Sequence, residues 1–349
     1  MYQVNEHRPC EGDPGSVRVT RTKGLTLVPR WPRLRRRLEG LSAQLRGGAP
    51  ACVVDGTFGG ASGTRPFRLY RPGWRYPGAR PLVVMLHGCK QNPVDFAAGT
   101  RMQARGEGRG CFVLYPGQDR QANPLGCWNW FEERHQQRDT GEPSILAGMI
   151  RQVMAGHRID SKRVYVVGLS AGGAMATILA TTHPELFAAV GIHSGLSHAA
   201  VSNLPSAVVA MRRGPARGRL RQAGEPRQVL PTIVFHGDRD ATVHPGHGEE
   251  LIASTRAASP GADASAATIR TIRGVVPGGH AWTRTLHHDA RGRCHAEHWV
   301  VHRSGHAWSG GDPAGSHTDP LGPDASREML RFFREHPRQG HHIVPVSGR

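Results

Sequence analysis

Gly168-Leu169-Ser170-Ala171-Gly172 sets a serine between two glycines, after the apolar run Val164-Tyr165-Val166-Val167 and before the small-residue stretch Gly173 to Ala180. A strand, a sharp turn and a helix in that order raise a serine hydroxyl above the end of a sheet, because small neighbours leave the backbone room to reverse. The free N–H groups at the start of the helix can then stabilise negative charge developing on a carbonyl oxygen. The chemistry on offer is nucleophilic attack at an acyl carbon. The plain alternative is a small-residue turn that only lets a strand and a helix pack.

A serine nucleophile needs a base, and the base needs an acid to orient it. In α/β-hydrolases, which this strand, elbow and helix resemble, the partners follow in the order Ser, Asp or Glu, His. Pro231 to Asp240 reads as a buried strand running into an acidic turn, where Asp238 and Asp240 compete for the acid. Gly237, Asp240 and Val243 fit a G-x-x-D-x-x-V arrangement, which favours Asp240 and leaves Asp238 to bond turn amides. The chain holds 21 histidines, so most must be surface or structural. His306 follows the strand-like run Glu297 to His302 and precedes a closing helix, which is where the base belongs. His280 sits in the same Gly-His-Ala-Trp tetrad but opens a β-like run, Thr283 to Leu286, and reads as a turn or surface residue. Pro81 to Leu86 reads as a central strand ending in His87-Gly88-Cys89, a turn that presents a backbone amide. The amides of Cys89 and Ala171 are therefore the expected oxyanion donors.

Four motifs together, His87-Gly88-Cys89, Cys127-Trp128-Asn129-Trp130-Phe131, Gly168 to Gly173, and Gly305-His306-Ala307-Trp308-Ser309-Gly310-Gly311, resemble the esterase family of polyhydroxybutyrate depolymerases. The resemblance runs from about Phe67 to about His336. It implies an α/β-hydrolase fold, a mostly parallel central sheet with helices on both faces. It also implies cofactor-free hydrolysis of a carboxylic ester through an acyl-enzyme, carried by Ser170, Asp240 and His306. The implied substrates are poly- or oligo-3-hydroxyalkanoate esters, with feruloyl or acetylxylan esters of plant polysaccharide as the alternative. A non-catalytic protein that binds a granule or surface is a third reading, and the intact Ser, Asp, His and oxyanion set argues against it. The resemblance further implies a Cys89–Cys127 disulfide tying the tryptophan loop to the oxyanion turn, against the alternative of two free thiols. Trp128, Trp130 and His87 are candidate substrate contacts, although tryptophans in a long loop can equally be a hydrophobic plug and His87 a pin for its turn. Lys90 departs from the family pattern, in which many relatives carry a smaller polar residue; it would narrow the pocket edge or charge it, which puts the substrate preference in question.

Composition agrees with one large core. At 349 residues, the simplest division is a basic N-terminal extension over 1–50, a catalytic α/β-hydrolase domain over 51–340 and a tail over 341–349. Arginine- and Pro/Gly-rich residues 200–228 read as a cap-like or mobile insertion within that domain. The formal charge of +18 does not point to nucleic acid. Lysine stands only at 23, 90 and 162, no nucleic-acid-binding motif accompanies the arginines, and stacking aromatics are scarce. The spacing of Leu34, Leu38, Leu41 and Leu45 predicts a short amphipathic helix over Trp31 to Leu45. Six cysteines make no dense disulfide scaffold, and the His287-His288 and Cys294-His295 pairs lack metal-ligand spacing. No apolar run reaches membrane-spanning length. The N-terminal residues show neither a basic n-region nor an apolar h-region, which makes the cytoplasm the default location, whereas the family resemblance suggests an extracellular one.

Overall fold

Leu82 to Leu86 has no polar residue and is fully buried, the pattern of a strand covered on both faces. Alternate side chains of such a strand point to opposite sides. Leu82, Val84 and Leu86 enter one core with Ile145, Ile150 and Ile178, while Val83 and Met85 enter another with Phe96, Met329 and Phe333. The computed structural model describes residues 51–73, 78–198, 201, 203–215, 230–257 and 268–338. The expected 31–45 helix, the 1–50 extension, the 341–349 tail and much of 200–228 lie outside these residues.

The strands are β1 (Cys52–Gly60), β2 (Gly63–Arg71), β3 (Arg80–Leu86), β4 (Phe112–Pro116), β5 (Ile159–Leu169), β6 (Ala189–His193), β7 (Thr232–Gly237), β8 (Thr268–Val275), β9 (Ala281–His288) and β10 (Cys294–Val301). They form one sheet in the order β1-β2-β4-β3-β5-β6-β7-β10-β9-β8. The run from β4 to β10 is parallel throughout. Antiparallel hairpins close both edges, β1–β2 on one side and β8–β9 on the other. A two-strand pair, β11 (Trp308–Ser309) with β12 (Thr318–Asp319), follows the main sheet.

The helices are α1 (Pro93–Thr100), α2 (Met102–Glu107), α3 (Gly141–Gly156), α4 (Ala171–Thr182), α5 (Leu204–Arg213), α6 (Gly246–Ala257) and α7 (Ala325–Glu335). α5 occupies part of the stretch read as an insertion. α7 starts at an Asp324 cap that accepts from the Arg327 amide at 2.9 Å. It buries Met329, Leu330, Phe332 and Phe333, and such side chains contribute about 1.5–3 kcal/mol each. Phe333 stacks on Tyr165 at 4.5 Å between centroids, and the Tyr165 hydroxyl donates to the Phe333 carbonyl at 2.8 Å. The closing helix is thereby locked to the strand that leads into Ser170. Among the described residues no helix is long and apolar enough to cross a membrane.

Several histidines are buried in this frame. Burial pushes His87, His287 and His298 down to about 4 and His193 down to about 3. Each is neutral in the folded chain at pH values where the unfolded chain would bind a proton, since free histidine titrates near 6.5. Stability from these groups is full above about pH 6.5 and is lost as pH falls toward 3 to 4. Calorimetry between pH 7 and pH 4 is expected to show Tm falling by at least about 10 °C. A flat profile would mean that these rings accept protons within the fold.

Candidate active site

At the end of β5 the chain reverses within one residue. Ser170 has φ 57° and ψ −120°, a region that costs a non-glycine residue about 1–3 kcal/mol. It is held there by its amide, which donates to the His193 carbonyl at 2.9 Å, and by its carbonyl, which accepts from Ala174 N at 2.9 Å. The flanking glycines are required by close backbone approach. A Cβ on Gly168 would stand 2.0 Å from the Gly172 carbonyl oxygen, and one on Gly172 would stand 2.1 Å from that of Leu86. Ser170 is thus lifted above the edge where the parallel strands end, partly open to solvent.

Asp240 lies in the turn after β7 and is 5% exposed. Its Oδ2 meets His306 Nδ1 at 2.7 Å, and its Oδ1 accepts from the amides of Thr242 at 2.9 Å and Val243 at 2.8 Å. His236 Nε2 stands 3.5 Å from Asp240 Oδ2 and 2.9 Å from the Val243 carbonyl oxygen. Both neighbours of that nitrogen accept, so Nε2 carries the proton. Burial works to raise the Asp240 pKa, but hydrogen bonds from His236 and His306, with the Val243 amide, outweigh it and hold the carboxyl far below its ordinary range. An ionised Asp240 keeps the proton of neutral His306 on Nδ1 and leaves Nε2 as a lone-pair acceptor.

The competing residues have other partners. Asp238 accepts from the Arg303 amide at 2.6 Å and contacts His302 Nδ1 at 2.9 Å. His280 closes the turn that leads into β9, the turn position that its sequence context suggested. Its side chain is largely covered and meets Asp319 at 3.1 Å.

Elbow and histidine loop share one anchor. The His193 carbonyl receives the Ser170 amide, and its ring Nε2 accepts from the Ser309 amide at 3.0 Å. That ring is stacked between Phe235 and Trp308 and is 1% exposed.

The turn after β3 lies alongside. A Cβ on Gly88 would be 3.6 Å from that of Ser170. The Gly88 amide is fixed by Gln91 Oε1 at 2.9 Å, while the Cys89 and Ala171 amides have no protein acceptor among the described residues. Cys89 is joined to Cys127 by a disulfide, and the Lys90 amide donates to Leu125 O at 2.8 Å. This turn and the tryptophan loop are therefore tied covalently and by backbone. Among the described residues no group of three or more His, Cys, Asp or Glu could hold a metal ion.

Residues 66–270 match the family model for esterase PHB depolymerase. The chain belongs to this family. Poly(3-hydroxyalkanoate) depolymerase C of Paucimonas lemoignei is 34% identical over 186 residues, covering 50% of this chain and 44% of that protein. Feruloyl esterase B of Neurospora crassa is 32% identical over 127 residues, covering 36% of this chain and 42% of that protein. An acetyl xylan esterase from Aspergillus awamori superposes with a TM-score of 0.58 at 19% identity, covering 78% of this chain and 94% of that one, and shares the α/β-hydrolase fold. The chain spans about half the length of the curated relatives it matches.

In this PHB depolymerase family member the residues read as substrate contacts are structural. Trp128 is 0%, His87 1% and Trp130 6% exposed, so no substantial surface of theirs is open to a ligand. Trp128 Nε1 donates to the His87 carbonyl at 3.1 Å. His87 Nε2 accepts from the Gln118 amide at 3.1 Å, and its Nδ1 donates to the Gly88 carbonyl at 2.8 Å. Beneath them the buried Glu142 pairs with Arg65 at 3.3 Å and accepts from Gln118 and from both nitrogens of Asn129. These aromatics shape the turn from behind.

Gln91 went unremarked in the sequence, although it follows the oxyanion turn by two residues. Besides holding Gly88, its Nε2 donates to the Ser316 carbonyl at 3.0 Å and to Asp95 at 3.1 Å. Asp95 in turn accepts from the Ser316 amide and hydroxyl. The turn after β3 is thus braced against the loop that follows His306. Gln91→Leu keeps most of the volume and removes the brace, and steady-state kinetics are expected to show kcat lower by about 10–100-fold with KM little changed. An unaltered kcat would mean that the disulfide alone positions the turn.

Proposed function

We propose that this chain hydrolyses carboxylic esters through an acyl-enzyme on Ser170. His306 Nε2 takes the Ser170 proton as Oγ attacks the ester carbonyl, and the Cys89 and Ala171 amides hold the oxyanion. His306 then gives that proton to the departing alcohol. A water molecule, deprotonated by the same nitrogen, attacks the acyl-enzyme; the acid leaves and Ser170 regains its proton. Asp240 keeps the proton on His306 Nδ1 and stabilises the imidazolium. The observation that carries this reading is the 2.7 Å contact between His306 and an ionised, buried Asp240, on the sheet edge that raises Ser170 at φ 57°.

The substrates we assign are poly- or oligo-3-hydroxyalkanoate esters, supported by the similarity to the depolymerase of Paucimonas lemoignei. Feruloyl or acetyl esters of plant polysaccharide are the second reading, supported by the similarity to feruloyl esterase B and by the match to an acetyl xylan esterase. The test is purified protein assayed side by side on soluble 3-hydroxybutyrate oligomers, methyl ferulate and acetylated xylan. Oligomer cleavage at the highest kcat/KM supports the first reading, and preference for ferulate or acetyl groups replaces it with the second. Silence on all three removes the esterase assignment.

A further inference from the structure

Two basic side chains at the edge of the site have no part in the scheme above. Lys90 follows Cys89, is exposed, and holds a left-handed backbone at φ 65° fixed by its amide bond to Leu125 O. His317 is exposed at φ 52°, and its carbonyl accepts from the Trp308 amide at 2.7 Å, two residues beyond His306. Both stems are anchored in conformations that are unfavourable for side-chain-bearing residues. Neither side chain has an ion-pair or hydrogen-bond partner among the described residues. The carboxylate of Asp95 is close by, but both its oxygens are engaged by Ser316, and one also by Gln91.

Gln91 Nε2 donates to the Ser316 carbonyl at 3.0 Å, which sets Lys90 and His317, the neighbours of these two residues, on adjoining turns. Burial first, then His306 and Lys90, lower the His317 pKa, while Asp95 opposes them. At neutral pH His317 therefore offers a neutral N–H beside the Lys90 ammonium group. A bare cation here works against catalysis, because His306 must itself become positive when it takes the serine proton. A substrate that brings a negative charge removes this conflict. His306 also protonates the leaving alcohol, so groups beside it border the leaving-alcohol side of the ester.

We propose that Lys90 and His317 form a subsite for a carboxylate carried on the leaving alcohol, so that the preferred substrates are esters formed on the hydroxyl of a hydroxy acid whose own carboxyl is free. This rests on the serine-esterase reading. A 3-hydroxyalkanoate oligomer cut next to its acid end releases such an alcohol, whereas a feruloyl or acetyl sugar ester releases a neutral one.

The experiment compares kcat/KM for the linear 3-hydroxybutyrate dimer and for its methyl ester, with p-nitrophenyl acetate as an uncharged control. Wild type is measured beside the double variant Lys90→Gln, His317→Gln. At low ionic strength the wild type is expected to favour the free acid by about three- to ten-fold. That ratio should fall to about one in the double variant and toward one in molar salt. Using the ratio cancels any general loss of catalytic power from a change beside Cys89. A wild-type ratio near one, a ratio unmoved by the double variant, or cleavage of p-nitrophenyl acetate with neither dimer overturns the subsite. Failure to cleave all three esters overturns the esterase reading, and the subsite falls with it.

Discussion

Ser170→Ala is expected to lower kcat/KM for every ester this protein cleaves by at least about 10³-fold, while the fold survives. The proposed nucleophile contributes its hydroxyl to the chemistry and almost nothing to packing. The elbow is held by the Ser170 amide and carbonyl, and alanine keeps both. The same geometry yields a second, opposite expectation. At φ 57° serine and alanine carry the same backbone strain, which glycine does not. Ser170→Gly should be as inactive as Ser170→Ala yet melt about 2 °C higher. Kinetics on a soluble ester and calorimetry on the three proteins decide both points. Activity retained in either variant would move the nucleophile elsewhere, and equal melting temperatures would mean that the elbow is relaxed at this residue.

The local signals in the sequence were strong because a tight turn constrains residue types within a few positions. Gly168 and Gly172 are small because carbonyl oxygens fill the space where their side chains would be. The spacing of Gly237, Asp240 and Val243 also carried information. The Val243 amide is one of the two that hold Asp240 Oδ1, and Asp240 rather than Asp238 faces His306. What the sequence could not convey was long-range pairing. Gln91 and Ser316 are 225 residues apart, and the two roles of His193 link β5 to a loop beyond β10. Burial direction was equally hidden. The sequence left Trp128 equally a substrate contact or a hydrophobic plug; the structure buries it fully, with Nε1 on the His87 carbonyl and the Asn129 amide beside it on Glu142. β8 went unread because Thr268 to Val275 is largely exposed and lacks the apolar alternation that marks a half-buried strand.

The hydrogen-bond pattern around Asp240 makes Asp240→Asn the sharpest test of the proposed mechanism. Oδ1 faces two backbone amides that cannot turn away, those of Thr242 and Val243. An asparagine must therefore keep its carbonyl oxygen there and direct its NH₂ toward His306 Nδ1. A donor now confronts the nitrogen that carries the imidazole proton, so His306 must move that proton to Nε2. Nε2 is the atom required to accept the Ser170 proton, and the base is lost although no atom has been deleted. His236 adds a cost of its own, because its Nε2–H stands 3.5 Å from the same edge of the carboxylate and would also face a donor there. We expect kcat to fall by about 10³–10⁴-fold with KM nearly unchanged and Tm only slightly lower. Asp240→Ala removes the acceptor altogether, leaves the buried Val243 amide unpaired along with that of Thr242, and should cost about 1–3 kcal/mol of stability as well. Asp238→Asn is the matched control: it too touches a histidine, His302, but on an exposed edge away from His306, and its kcat should stay within about three-fold of wild type. If Asp238→Asn were the crippled variant and Asp240→Asn the mild one, the orienting carboxylate would be the other aspartate, and the tautomer argument would have to be rebuilt around His302.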